Sequence, residues 1–164
     1  MRTILVIDDD QAVRIILDKI LTKAGFRVVM AESAEEGLAL ARDEQPDLIL
    51  LDIYLPDENG LVVCRKIKND PLLEQSMVVI ISGVKTAPHE QADGLDAGAD
   101  EYMAKPLNKS EVLARIESLL RIKRVEEALR ASESRYRSLF DSLLNGFALH
   151  QLIRDRQGNP SDFR

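Results

Sequence analysis

Asp47 to Gly60 reads DLILLDIYLPDENG. Four apolar residues, Leu48 to Leu51, run without a break into Asp52, and a polar turn follows before the next apolar stretch. An uninterrupted apolar run of this length is the signature of a strand buried on both faces, so the segment predicts an inner strand of a parallel sheet with an acid at its end. The pattern recurs on either side. ILVIDDD ends in Asp8, Asp9 and Asp10, VVIISG in Ser82, and GADEYMAKPL in Lys105 and Pro106. A fifth apolar stretch, Val28 to Ala31, lies between the first two.

Helical patterns separate these strands. Val13, Ile16, Leu17, Ile20, Leu21 and Ala24 recur at helical spacing on one face, and Gly25 suits the left-handed position behind such a helix. Ser33 with Glu36 has capping-box spacing and predicts a helix to about Asp43; Asn108 with Glu111 looks similar. Further helices are expected over Asn59 to Asn69, with Pro71 marking the end, and over Pro88 to Ala97, with Gly98 behind it. The last strand should be short, near Glu101 to Ala104. Five strand–helix units in succession predict an α/β fold, a doubly wound five-stranded parallel sheet of flavodoxin-like order 2-1-3-4-5. In that order Asp8, Asp9 and Asp52 meet at the central switch point, with Ser82 and Lys105 beside them.

Such a gathering has its own chemistry. Adjacent carboxylates at Asp8 and Asp9, close to Asp52, repel one another in a partly dry cleft unless a cation lies between them. Mg²⁺, or Mn²⁺, accepts oxygen ligands of this kind while keeping some of its waters. Asp52, alone at a strand end, is a candidate nucleophile toward a phosphoryl group whose charge a metal and Lys105 would neutralise. Taken singly, the same residues have plainer readings: Asp9 or Asp10 as a helix cap, Lys105 as a surface lysine, Ser82 as a strand-end hydroxyl.

Composition limits the other possibilities. The chain has 164 residues, 45% hydrophobic and 30% charged. Met1 to Arg121 carries a net −8 and Ile122 to Arg164 a net +2, so no basic surface for nucleic acid stands out and no direct nucleic-acid contact is expected. Cys64 is the only cysteine, which excludes an intramolecular disulfide and a cysteine-rich zinc site. The apolar runs are strand-sized, and the expectation is a cytoplasmic protein without membrane contact.

Together the quoted motifs resemble the receiver domain of two-component response regulators, a CheY-like superfamily, over nearly all of Met1 to Arg121. The resemblance implies that Asp52 is the phosphoacceptor, that Asp8, Asp9, Asp52 and the backbone carbonyl of Tyr54 bind the metal, and that Asp8 acts mainly through water. It further implies that Ser82 is the switch hydroxyl, that Lys105 pairs with the phosphoryl group, that Tyr102 turns inward as Ser82 is recruited, and that the Lys105–Pro106 bond is cis. The implied partner is a sensor histidine kinase or a histidine phosphotransfer protein. The implied activity is that of a signalling switch, with no catalysis beyond its own phosphoryl transfer and dephosphorylation. A haloacid-dehalogenase-type hydrolase also uses a strand-end aspartate, but it needs a second acid two positions later, where Tyr54 stands. A degenerate receiver serving as a dimerisation scaffold is the remaining alternative, and the intact set of strand ends argues against it.

Beyond the receiver-like segment 1–121, no helix breaker follows Leu120. Ile122, Val125, Leu129, Ser132, Tyr136, Leu139 and Leu143 step 3, 4, 3, 4, 3, 4, a heptad seam over an extended C-terminal helix. This linker, 122–144, is read as a parallel homodimer contact, the alternative being a helix folded back on its own domain. The segment 145–164, with FALHQLI as a strand and DRQGNP as a turn, is expected to open a second domain in the middle of its first hairpin. With the preceding SRYRSLFDSLLNGF it resembles a signalling helix entering a PAS domain.

Overall fold

Five of the expected strands form in the computed structural model, which describes residues 1–83, 97–146, 152–154 and 160–163. They are β1 (Thr3–Ile7), β2 (Arg27–Ala31), β3 (Leu48–Asp52), β4 (Met77–Ser82) and β5 (Glu101–Ala104). They make one all-parallel sheet in the order β2-β1-β3-β4-β5, a CheY-like, flavodoxin-type arrangement. Around it lie α1 (Gln11–Lys23), α2 (Ala34–Glu44), α3 (Gly60–Lys68) and α4 (Lys109–Gly146). The helix expected over Pro88 to Ala97 lies outside the described residues, apart from a buried Ala97.

Alternate residues of the strands feed two separate cores, which is why the runs are continuously apolar. Leu5, Ile7, Ile49, Leu51, Val78 and Ile80 pack against Ala34 and Ala41 of α2 and Val63, Cys64 and Ile67 of α3. Ile4, Val6, Leu48, Leu50, Val79 and Ile81 pack on the other face against Leu17 and Leu21 of α1 and Val112, Ile116 and Leu120 of α4. Burial of each such side chain contributes about 1.5–3 kcal/mol.

Two expectations need correction. β2 lies at the edge of the sheet, as the expected order has it, but its apolar run is not buried on both faces, and Met30 stays 41% exposed. Ile16 does not share the buried face of α1 but is 53% exposed. At 100° per residue it sits at the flank of the stripe centred on Leu17.

The helix ends follow the predicted chemistry in most respects. Asn59 caps α3 by accepting from Leu61 N–H, and Gly25 and Gly98 take positive φ. Ser33 accepts from Glu36 N–H at 3.3 Å, but Glu36 accepts in return from Glu32 N–H rather than from Ser33. The capping box is therefore shifted by one residue on its return side.

The chain divides into two units, Met1–Lys123 and Arg124–Arg164. In the second, α4 continues to Gly146, and β6 (Leu152–Arg154) pairs antiparallel with β7 (Pro160–Phe163). Most of the expected FALHQLI strand and of the DRQGNP turn lies outside the described residues, as do His89 and His150. Among the described residues no helix is long and apolar enough to cross a membrane.

Candidate functional site

Parallel strands deliver their C-terminal ends to one edge of the sheet, and register decides which residues meet there. Ile7 pairs with Leu51, so Asp8 and Asp52 follow side by side; Asp52 pairs with Ile81, and Ser82 with Ala104, which puts Ser82 and Lys105 next in line. The Lys105 N–H donates to the Ser82 carbonyl at 2.6 Å, holding these two strand ends together. The Lys105–Pro106 peptide bond is cis.

Asp8 and Asp52 are almost fully buried, while Asp9 is exposed. One carboxylate oxygen from each of the three lies within 4.8 Å of the others. Lys105 Nζ donates to Asp8 Oδ2 at 2.9 Å and to Asp52 Oδ2 at 3.2 Å. Burial pushes the Asp52 carboxyl above its ordinary range; the Lys105 charge opposes this and the Asp8 charge adds to it. Burial also works against the charge on Lys105, but its two carboxylate partners outweigh that and hold the ammonium above its usual range. Lys105 thus pairs with two of the three clustered carboxylates. A surplus of hard oxygen donors this close together suits a divalent ion reached directly or through one of its waters.

The cap reading is settled among the three consecutive acids. Asp10 is the N-cap of α1, accepting from Ala12 N–H at 2.8 Å, and Asp8 Oδ1 accepts from Asp10 N–H at 2.9 Å. Asp9 has no part in capping. Lys105 is no surface lysine either, given its two buried partners. Tyr102 is half-buried against the α2/α3 core, and its hydroxyl is buried with no hydrogen-bond partner among the described residues. The Tyr54 side chain is 52% exposed.

Several supporting residues escape a reading by motif. Arg14 on α1 donates to the carbonyls of Asp8 at 2.7 Å and Asp9 at 3.0 Å, pinning the acidic pair from behind. Asp57 accepts from the N–H groups of Ala34 and Glu35, both at 2.9 Å, so the loop after Asp52 caps α2 as well as leading into α3. Those two hydrogen bonds hold the Asp57 carboxyl below its ordinary range. Gly60 donates to the Ile53 carbonyl, and a Cβ there would lie 2.1 Å from the Asp52 carbonyl oxygen. Only glycine allows that approach. The partners of Arg14 and Gly60 are nearby in sequence, but Asp57 bonds across 23 positions, and no local pattern announces it.

Known proteins resemble this chain in sequence and fold. The chain is 40% identical over 124 residues to the transcriptional regulatory protein AfsQ1 of Streptomyces coelicolor, covering 74% of this chain and 52% of that protein. It is 35% identical over 136 residues to the response regulator MprA of Mycobacterium tuberculosis, covering 83% of this chain and 58% of that protein. The chain thus spans little more than half the length of these curated relatives. Among solved structures, a CheY-like response regulator receiver domain protein from Methanospirillum hungatei superposes with a TM-score of 0.72 at 32% identity, covering 77% of this chain and 98% of that one. The family model for the response regulator receiver domain matches residues 4–117. With that match laid over this sheet and these strand ends, the chain belongs to the response regulator receiver domain family.

Proposed function

We propose that Asp52 accepts a phosphoryl group from the phosphohistidine of a sensor histidine kinase or histidine phosphotransfer protein, and that the signal passes through α4 to a downstream PAS-like module. The observation that carries the reading is the shared pairing of Lys105 with buried Asp8 and Asp52 beside an exposed Asp9 that leaves the capping of α1 to Asp10. A carboxylate oxygen of Asp52 forms the new P–O bond as the P–N bond of the donor breaks, and the released imidazole nitrogen takes its proton from solvent. Asp8, Asp9, Asp52 and the Tyr54 carbonyl would hold Mg²⁺ or Mn²⁺, which when bound screens the charge that builds up on the phosphoryl oxygens.

Lys105 already spans two carboxylates, so an ammonium proton is free to turn to a phosphoryl oxygen once Asp52 is esterified. Ser82, buried one residue beyond the Asp52 register partner, is the hydroxyl proposed to follow it, and Tyr102 is half-buried against the α2/α3 core. An apolar groove of Val13, Ile16, Pro106 and Leu107 runs alongside Lys105 and offers the donor protein a surface next to the acceptor. The output proposed here is a helix-coupled module in a homodimer, without direct contact to nucleic acid or membrane.

The test is incubation with Mg²⁺ and a small acyl phosphate, followed by intact mass. One added phosphoryl group is expected, absent in Asp52→Asn and without added divalent ion. No mass change in the wild type, with dimerisation retained, would return the scaffold reading.

A further inference from the structure

The groups proposed above to hold a divalent ion sit at the ends of two strands, Asp8 and Asp9 after β1, and Asp52 with the Tyr54 carbonyl at the end of β3. The turn between β2 and α2, residues 32–36, supplies no ligand, yet it is bonded to both of these loops. On one side the Ala31 carbonyl accepts from Asp8 N–H at 3.2 Å, and Arg14, which grips the Asp8 and Asp9 carbonyls, reaches Glu32 Oε2 at 3.4 Å. Glu32 N–H donates in turn to Glu36 Oε2 at 2.9 Å. On the other side the two carboxylate oxygens of Asp57 accept one N–H each, from Ala34 and from Glu35. β2 and β3 are not neighbours in the sheet, so the Asp57 bonds reach past β1. We infer that this turn is the positioning element of the metal site: through Arg14 and Asp57 it sets the spacing of the two ligand-bearing loops, and so the affinity for the ion, a role that rests on the metal reading above.

The need for such an element follows from the charges. Asp8, Asp9 and Asp52 repel one another, and something other than the ion must hold them close before it arrives. A site held in place beforehand gives up less free energy to ordering when it binds. Arg14 holds main-chain carbonyls rather than the carboxylates of Asp8 and Asp9, so the grip uses up none of the acidic oxygens. Asp57 stands three residues beyond Tyr54, with Pro56 restricting the chain between them. The bridge from Tyr54 to Asn59 and the bond from Gly60 N–H to the Ile53 carbonyl close the same loop. Asp57 is itself an acid at this edge, but its oxygens are engaged by the α2 amides and it is not one of the three gathered carboxylates.

Charge and position predict opposite signs at Arg14. A cation acting through its charge would weaken metal binding, so Arg14→Gln would tighten it; loss of a positioning residue loosens it. Free Mn²⁺ counted by electron paramagnetic resonance, with Mg²⁺ as competitor, reads the dissociation constant of the 164-residue chain without any phosphoryl donor. Arg14→Gln and Asp57→Ala should each raise it about tenfold. Asp57→Asn, which loses the same charge but keeps one acceptor oxygen, should raise it about threefold. Acyl phosphate labelling of Asp52 should return to its wild-type extent in all three variants at saturating Mg²⁺. Ser33→Ala is the control, because Ser33 caps the same helix end through Glu36 N–H, a bond internal to that end. Its Tm should fall by roughly 2–6 °C, as in Asp57→Ala, with Mn²⁺ affinity unchanged. Unchanged or tighter binding in Arg14→Gln, equal shifts in the two Asp57 variants, or a Ser33→Ala shift as large as that of Asp57→Ala overturns the positioning role and leaves the metal reading standing. A wild type that binds no Mn²⁺, or binding that Asp9→Asn leaves untouched, overturns the metal reading and the positioning role with it.

Discussion

The two edges of the sheet use the same kinds of side chain in opposite proportions. At the C-terminal edge one lysine, Lys105, is shared by Asp8 and Asp52, with Asp9 close by. At the N-terminal edge one carboxylate, Asp47, is held by two cations, Arg2 and Lys123, and by the Thr3 N–H at 2.8 Å. Lys123 also donates to the Asp47 carbonyl at 3.2 Å. The consequences run in opposite directions. Burial dominates Asp52 and leaves it above its ordinary range, whereas at Asp47 burial is outweighed by Arg2, the Thr3 N–H and the Lys123 charge, which leave it below. A clasp is satisfied by its own residues. The acidic edge, proposed above to receive a cation and a phosphoryl group, is left short of positive charge.

The most direct way to break this contrast is Asp52→Asn, which should abolish phosphorylation altogether. Its stability should move the other way. Asp52 keeps its proton in the folded protein to a higher pH than in the unfolded chain, so its ionisation costs stability above that range. At neutral pH the amide removes that cost while Lys105 keeps Asp8, and Tm should rise. A fall in Tm, measured by circular dichroism, would mean that the acidic edge is a structural clasp like the other.

At the opposite edge, Asp47→Ala leaves Lys123 buried without its carboxylate and removes the acceptor of Arg2 and Thr3. A loss of about 2–3 kcal/mol in urea unfolding is expected, with acyl phosphate labelling of Asp52 preserved. The stability from Asp47 is present above its unfolded-state range and disappears as pH falls through its lowered folded value, so the difference between wild type and variant should close in acid. A pH-independent difference would assign the effect to packing instead. Gly60→Ala comes next: its Cβ would collide with the Asp52 carbonyl oxygen, and the backbone shift should cost about 1–3 kcal/mol and slow phosphorylation as Asp52 is displaced. Unchanged urea unfolding would show that the loop yields freely.

How much of this was legible in the sequence differs between the same two edges. Continuous apolar runs gave the inner strands, and their shared polar endings gave the whole acidic edge, because each strand carries its own signal over a few residues. The VVMA run of β2 reads like a strand buried on both faces, and although the expected order 2-1-3-4-5 puts it at the edge of the sheet, how far each face is covered there depends on elements distant in sequence. The clasp was invisible for a similar reason. Asp47 precedes the very run that decides the fold, yet its partners are 45 positions away at Arg2 and, at Lys123, on a helix that reads as surface. Asp57 belongs to the same class, a polar loop residue whose meaning depends on the far-off N-terminus of α2.

The smallest expected effect lies at Tyr54, on the acidic edge but outside its charge balance. Its ring is half-exposed, while its backbone is fixed by a bridge to Asn59, so Tyr54→Ala removes bulk beside Asp52 without moving the carbonyl proposed as a metal ligand. Phosphorylation and Tm should be unchanged. What changes is the path of water to the acyl phosphate: with the ring gone, hydrolysis should quicken by about two- to tenfold, a barrier change within roughly 1.4 kcal/mol. Single-turnover decay of the labelled protein measures this directly. An unchanged decay would mean that water reaches the acyl phosphate from another side, and that the surplus of negative charge, rather than shielding by Tyr54, governs how long the acidic edge holds its phosphoryl group.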